Sequence, residues 1–246
     1  MSFPYRKLGR TGLDVTELGF GTAPLGNLFR PLADDTARAT LAAAEAAGFG
    51  YYDTAPFYGF GLSEIRLGAA LRGRDVIVST KVGRLLRPVA GPVDEDVLRH
   101  GYATPMPFDP VFDYSYDAVM RSFEESLQRL GLSRIDILYI HDIGRLTHGA
   151  ANAARMDELT EGGGLRALEE LRASGAIAGF GMGVNEVPAC LDVMAHARLD
   201  VILLAGRYTL LEQTPLDDLF PACERAGTAI VVGGPYNSGI LAVGTQ

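Results

Sequence analysis

Asp53 and Tyr58, within Asp53-Thr54-Ala55-Pro56-Phe57-Tyr58-Gly59, put a carboxylate and a phenol just after a short apolar run. The next two apolar runs also end in ionisable residues. Val76-Ile77-Val78-Ser79-Thr80 ends in Lys81, and Ile135-Asp136-Ile137-Leu138-Tyr139-Ile140 ends in His141. In a parallel barrel, side chains at the C-terminal ends of neighbouring strands converge on one mouth. A phenol titrates near ~10, too high to trade protons readily at neutrality. A nearby ammonium favours the phenolate and lowers that value, and a carboxylate holds the ammonium charged and aimed. An imidazole donates or accepts a hydrogen bond to a substrate oxygen. Such a set suits moving a proton on or off an oxygen while a hydride moves on or off its carbon. It suits hydrolysis poorly, because no Ser or Cys stands beside a base in a nucleophile motif. Each residue alone has a plainer role, Tyr58 in packing and Asp53 as a cap before Pro56. Their joint placement on three successive strand ends is what favours chemistry.

The elements that would position them alternate. Arg6 to Val15 reads as a hairpin turning at Arg10-Thr11-Gly12, and Thr16 to Gly21 as a first strand. Strands are then expected at Tyr51–Asp53, up to Lys81, up to His141, at Ala176–Gly183, Val201–Leu204 and Thr228–Val232. Helical patterns fall between them: Asp34–Ala47 closed by Gly48, Ser63–Leu71, Ser115–Leu130 closed by Gly131, Leu165–Ser174, Val187–Ala197 and Leu216–Ala226. In the third helix Val119, Phe123, Leu127 and Leu130 share one face. Strand–helix alternation predicts an α/β fold with a parallel sheet, and residues 1–246 read as one domain. Gly83 to Asp113 breaks the rhythm: it is long, rich in Pro and Gly, and follows the Lys81 strand, so it is expected to cover the mouth. The acidic run Asp94-Glu95-Asp96 within it reads as a solvated turn. After Val232 only Gly233 to Gln246 remains, so an eighth strand and two helices of a closed barrel are expected to be missing. The gap would belong to a longer protein or be filled by another chain.

Bulk properties narrow the function classes. A net charge of -8 without a Lys/Arg block argues against nucleic-acid binding. Cys190 and Cys223 lack metal-ligand spacing and read as buried thiols, and His100, His148 and His196 do not cluster. The N-terminal residues have no signal-like apolar core, and no run approaches the roughly 18 apolar residues of a membrane span. A cytoplasmic location is expected. Gly19-Phe20-Gly21-Thr22-Ala23-Pro24-Leu25-Gly26 is not a dinucleotide fingerprint, because its third glycine is misplaced and Pro24 stands where a helix would begin.

The chain resembles the aldo-keto reductases. The matching pieces run in order along it: Gly19-Phe20-Gly21-Thr22, Asp53 to Gly59, Ser79-Thr80-Lys81, Ser126-Leu127-Gln128-Arg129-Leu130-Gly131, Ile135 to His141, and Gly181-Met182-Gly183-Val184-Asn185. The resemblance implies a (β/α)8 barrel using NAD or NADP, with Asp53, Tyr58, Lys81 and His141 as catalytic residues. Tyr58 would be the general acid or base, Lys81 paired to Asp53 would tune it, and His141 would orient the substrate oxygen. Within the family, three segments resemble the branch of aldose 1-dehydrogenases and pyridoxal 4-dehydrogenases: the Gly83–Asp113 segment leading into Phe112-Asp113-Tyr114-Ser115, Leu203 to Leu211, and Gly233-Gly234-Pro235-Tyr236-Asn237-Ser238-Gly239. That implies oxidation of a cyclic hemiacetal, an aldose such as L-fucose or D-arabinose or else pyridoxal, to a lactone. Carbonyl reduction, or a non-catalytic nicotinamide-binding regulatory barrel, are the alternatives. Carried over residue by residue, Gly21 through its backbone and Thr22 through its hydroxyl would lie by the nicotinamide ribose, Asp53 would also contact the cofactor, Asn185 would bind the carboxamide, and Gly234 falls where the family has a ring-stacking tyrosine, for which Tyr236 is a candidate substitute. Glu186 and Ala205 stand where the family has Asn and Gln. No metal is implied.

Overall fold

Alternate residues of each buried strand face opposite sides, and this period-two pattern sets the architecture. The computed structural model describes residues 3–94 and 97–244, so Glu95 and Asp96 of the acidic run lie outside the described residues. The chain opens with an antiparallel hairpin, β1 (Tyr5–Lys7) and β2 (Asp14–Thr16). It then enters a parallel sheet through β3 (Phe20–Gly21) and continues through α1 (Asp34–Ala47), β4 (Tyr51–Asp53), α2 (Leu62–Leu71) and β5 (Ile77–Val82). An excursion forms a second antiparallel hairpin, β6 (Arg84–Pro88) with β7 (Phe108–Phe112). After α3 (Tyr116–Leu130) and β8 (Ile137–His141) come α4 (Arg145–His148), α5 (Asn152–Leu159) and α6 (Gly164–Ala173). The remainder is β9 (Gly179–Val184), α7 (Val187–Met194), β10 (Val201–Ala205), α8 (Leu219–Ala226), β11 (Ala229–Gly233) and α9 (Ile240–Val243).

The main sheet has seven strands in the order β11-β10-β9-β8-β5-β4-β3, all pairs parallel. It forms a β/α barrel wall whose end strands are β3 and β11. Outward-facing Tyr52, Val78, Leu138, Ile140, Phe180, Met182, Ile202 and Leu204 pack under the helices with Val119, Leu168 and Val193. Inward-facing Tyr51, Ile137, Tyr139 and Val201 form a separate core with Leu8 and Val15 of the hairpin, which therefore closes the N-terminal end of the barrel. No helix among the described residues is long and apolar enough to cross a membrane.

Two carboxylates stitch neighbouring strands at that closed end. Asp136, just before β8, accepts from the Val78 backbone N–H at 2.8 Å, and Asp200, just before β10, accepts from the Phe180 N–H at 3.1 Å. Each satisfies a donor where a strand begins and fixes register against its neighbour.

The expected single strand over Thr16–Gly21 is instead two elements. The chain bends at residues 17–19, where the Thr16 hydroxyl donates to Leu18 O at 2.8 Å and accepts from Gly50 N–H at 3.1 Å. A Cβ on Gly19 would fall 2.7 Å from the Tyr51 ring, so only glycine lets the chain turn from hairpin to wall there. The Gly83–Asp113 segment, read from the sequence as a break in the strand–helix rhythm, carries the β6–β7 hairpin. The pieces α4 and α5 were not anticipated.

Candidate active site

Register brings the strand-end residues together. Asp53 lies opposite Ser79, Lys81 opposite Tyr139, and His141 opposite Gly183. Since residues two apart on a strand face the same way, Tyr51 and Asp53, Ser79 and Lys81, and Tyr139 and His141 form successive interior layers. The lower layer is polar and satisfied: the Tyr51 hydroxyl lies 3.0 Å from Ser79 Oγ and 2.9 Å from the Tyr139 hydroxyl. Ser79 in turn donates to Asp53 Oδ1 at 2.7 Å.

Above that layer Lys81, 2% exposed, donates to Asp53 Oδ2 at 2.6 Å and to Thr54 O at 2.8 Å. The pairing that the resemblance implies is thus present. Burial works against the ammonium, but Asp53 and Tyr58 outweigh it and raise the Lys81 pKa above its ordinary value. The aliphatic stem packs on β9, where a Cβ on Gly183 would come within 3.3 Å of Lys81 Cε.

Tyr58 reaches the ammonium from the loop after β4. The loop is held by Tyr58 N–H to Ala55 O at 3.1 Å and Ser63 N–H to Tyr58 O at 3.1 Å. Next to it Gly59, at φ +64°, approaches Gly26 so closely that a Cβ would lie 2.3 Å from Gly26 O. The Lys81 ammonium sits 4.7 Å from the Tyr58 ring centre. A lysine beside the phenol was expected to bring the phenol's pKa down. The net direction is up, because burial outweighs Lys81, and Asp53 adds to the rise. The resting phenol therefore keeps its proton at neutrality.

His141 stands edge-on to Tyr58, with ring centres 5.9 Å apart. Burial first, then Arg84 and Lys81, push its pKa well below the ordinary value, so the ring is neutral. Tyr114 donates its hydroxyl to His141 O at 2.7 Å and meets His148 Nε2 at 3.0 Å.

The excursion borders this cluster. Thr104 donates to Gly59 O at 2.7 Å, and the Tyr102 ring lies 5.4 Å from Phe57 and 6.4 Å from Tyr58. Buried Arg84 stacks between Phe57 at 3.9 Å and Phe112 at 4.8 Å and donates to Asp142. Sequence reading missed Arg84, Tyr102, Tyr114 and His148 around the site. The available signal was Asp142, which directly follows His141.

The opposite half of the mouth carries small residues at the ends of β9, β10 and β11: buried Gly183, half-buried Ala205 and Gly233, and exposed Gly234. Asn185 is exposed there, and its Nδ2 donates to Ala205 O at 3.0 Å, which leaves Oδ1 free to accept. Gly234 is exposed at φ +59°. Gly21 is exposed, whereas the buried Thr22 hydroxyl donates to Asp53 O at 2.9 Å and accepts from Ser63 at 2.8 Å. Glu186 accepts from Leu146 N–H at 3.1 Å and so serves the start of α4. A flat ring with a carboxamide fits this half, where small residues stand beside the Asn185 amide oxygen, unpaired among the described residues.

A profile of the family described as "Aldo/keto reductase family" matches residues 17–245. Pyridoxal 4-dehydrogenase of Microbacterium luteolum is 49% identical over 96% of this chain and 72% of that protein. D-threo-aldose 1-dehydrogenase of a Pseudomonas species is 43% identical over 94% of this chain and 69% of that protein. Among solved structures, the holo form of an aldo-keto reductase from Bacillus halodurans superposes with a TM-score of 0.74 at 28% identity, covering 99% of this chain and 70% of that one. With this match over nearly its whole length, and with a strand-end cluster suited to moving a proton on an oxygen, the chain belongs to the aldo/keto reductase family and is an oxidoreductase acting on CH–OH or carbonyl groups.

Proposed function

We propose that this protein oxidises the C–H of a cyclic hemiacetal to a lactone, with Asp53, Tyr58, Lys81 and His141 as its catalytic residues. The observation that carries the reading is the buried Lys81 ammonium, bound to Asp53 at 2.6 Å and lying 4.7 Å from the Tyr58 ring. A bound NAD or NADP supplies the hydride acceptor, or the donor in the reverse direction. Gly21, Asp53, Asn185 and Gly234 are the residues that would hold its nicotinamide end, with buried Thr22 tying the turn after Gly21 to Asp53. Tyr58, as phenolate, takes the hemiacetal hydroxyl proton, and Lys81 stabilises the charge on the phenolate. Neutral His141 donates a hydrogen bond to the same substrate oxygen and fixes its direction.

The hemiacetal substrate is supported by the two dehydrogenase relatives, since an aldose and pyridoxal share that group. A second reading, reduction of a carbonyl, is favoured by one observation: the resting Tyr58 phenol is protonated at neutrality and so is ready as an acid. The two are opposite directions of one proton and hydride exchange. The test is absorbance at the reduced-nicotinamide band with NAD or NADP and L-fucose, D-arabinose or pyridoxal, with the product identified. One of these pairings is expected to yield reduced cofactor and lactone in equal amounts. Cofactor binding without turnover of any pairing would favour a regulatory barrel instead.

A further inference from the structure

Directly beside His141 stands a carboxylate that the proton-transfer scheme does not use. Asp142 Oδ2 lies 3.5 Å from His141 Nε2. Asp142 is a non-glycine residue at φ +49°, a left-handed backbone that carries a conformational cost and clusters at functional sites. Its backbone N–H is tied to Gly183 O at 3.0 Å, and the preceding carbonyl is tied to Tyr114, so the turn has no freedom to relax. The carboxylate is held from the far side by Arg84, which is 6% exposed and stacked between Phe57 and Phe112. Arg84 Nε is buried without a hydrogen-bond partner among the described residues, so the guanidinium gives up a bond to stand where it does. The Asp142 side chain keeps 18% exposure at the mouth, and its Oδ1 accepts no hydrogen bond from the described residues.

We propose that Asp142, braced by Arg84, is a specificity-determining residue that accepts a hydrogen bond from the hydroxyl on the carbon next to the reacting one. This rests on the hemiacetal reading and narrows it. A substrate whose reacting oxygen bonds to Tyr58 and His141 would bring the hydroxyl on the adjacent carbon toward Asp142, the carboxylate beside His141. A hydrogen bond to a fixed, partly desolvated carboxylate discriminates well, because a substrate lacking the hydroxyl leaves a charge unpaired. The substrate class selected is a polyhydroxylated cyclic hemiacetal, that is, an aldose. Arg84 acts through Asp142 as a positioning residue. Its pairing keeps the carboxylate aimed and opposes the burial that raises the Asp142 pKa.

The experiment compares L-fucose with 2-deoxy-L-fucose, by calorimetric binding to the cofactor-loaded enzyme and by turnover, in wild type and Asp142→Asn. The wild-type comparison needs no variant to fold. Wild type is expected to bind L-fucose about tenfold or more tighter than the 2-deoxy sugar. In Asp142→Asn that ratio is expected to collapse to within about threefold. Equal binding of the two sugars by wild type would overturn the assignment, as would an undiminished ratio in the variant or no binding of either sugar. An equal loss of kcat on both sugars with the ratio kept would show that Asp142 only supports His141. Preferential binding without turnover of either sugar would count against the hemiacetal reading alone and leave the role of Asp142 standing.

Discussion

Tyr58 is pulled in two directions: burial raises its pKa, the Lys81 ammonium lowers it, and burial wins. The phenol is thus a ready acid, and as a base it depends on Lys81 to stabilise the phenolate. His141 shows the reverse case, a base kept neutral. Its pKa lies well below the ordinary 6.5 because of burial, then Arg84 and Lys81. In the unfolded chain the imidazole titrates near ~6.5. As pH falls below that value, the unfolded state gains a proton that the folded state refuses, so stability drops. Tm measured from pH 8 to pH 5 is expected to fall more steeply below about 6.5 in wild type than in His141→Gln. Parallel curves would contradict a buried neutral His141. All four of these catalytic candidates could be read from residue type and strand-end position. Arg84 could not, because its meaning lies in an ion pair with Asp142 that spans 58 residues of sequence.

At the scale of elements, the wall strands were legible because each is a short apolar run closed by glycine or an ionisable group. The hairpin β6–β7 was not. Its pairing of Arg84 with Phe112 joins distant residues across a Pro- and Gly-rich stretch, which local pattern does not register. Nor was the split of β2 from β3, which depends on the tight approach of Gly19 to Tyr51. The position of β5 rests on an ionic brace between helices. Glu64 on α2 is fully buried, accepts from Thr80 at 2.6 Å, and is paired with Arg129 of α3 at 2.5 Å. Thr80 precedes Lys81, so the brace also sets the height of the ammonium. Arg129→Met would leave a buried carboxylate unpaired, a loss of about 3–5 kcal/mol. Chemical denaturation is expected to show that loss, and a change below about 1 kcal/mol would mean the pair is not a brace.

On the scale of the whole molecule, the barrel converts sequence distance into one cluster. Residues 53, 58, 81 and 141 meet because β4, β5 and β8 are adjacent in a sheet that follows chain order, with β6 and β7 set aside in their own hairpin. The hairpin β1–β2 closes one end, and the candidate residues gather at the other. Across that end the half around Tyr58 and Lys81 is crowded with aromatic and charged groups, and the β9–β11 half carries small residues. The sheet ends in β3 and β11, whose outer edges no described strand pairs, and unpaired edges are sites of association. The central claim is that Tyr58 moves the proton on the reacting oxygen. Its most direct measurement is lactone formation from the substrate found in the cofactor screen, by wild type and by Tyr58→Phe, alongside cofactor binding. The account predicts a loss of about 10²- to 10⁴-fold in kcat with cofactor affinity retained. Turnover within about threefold of wild type would contradict it.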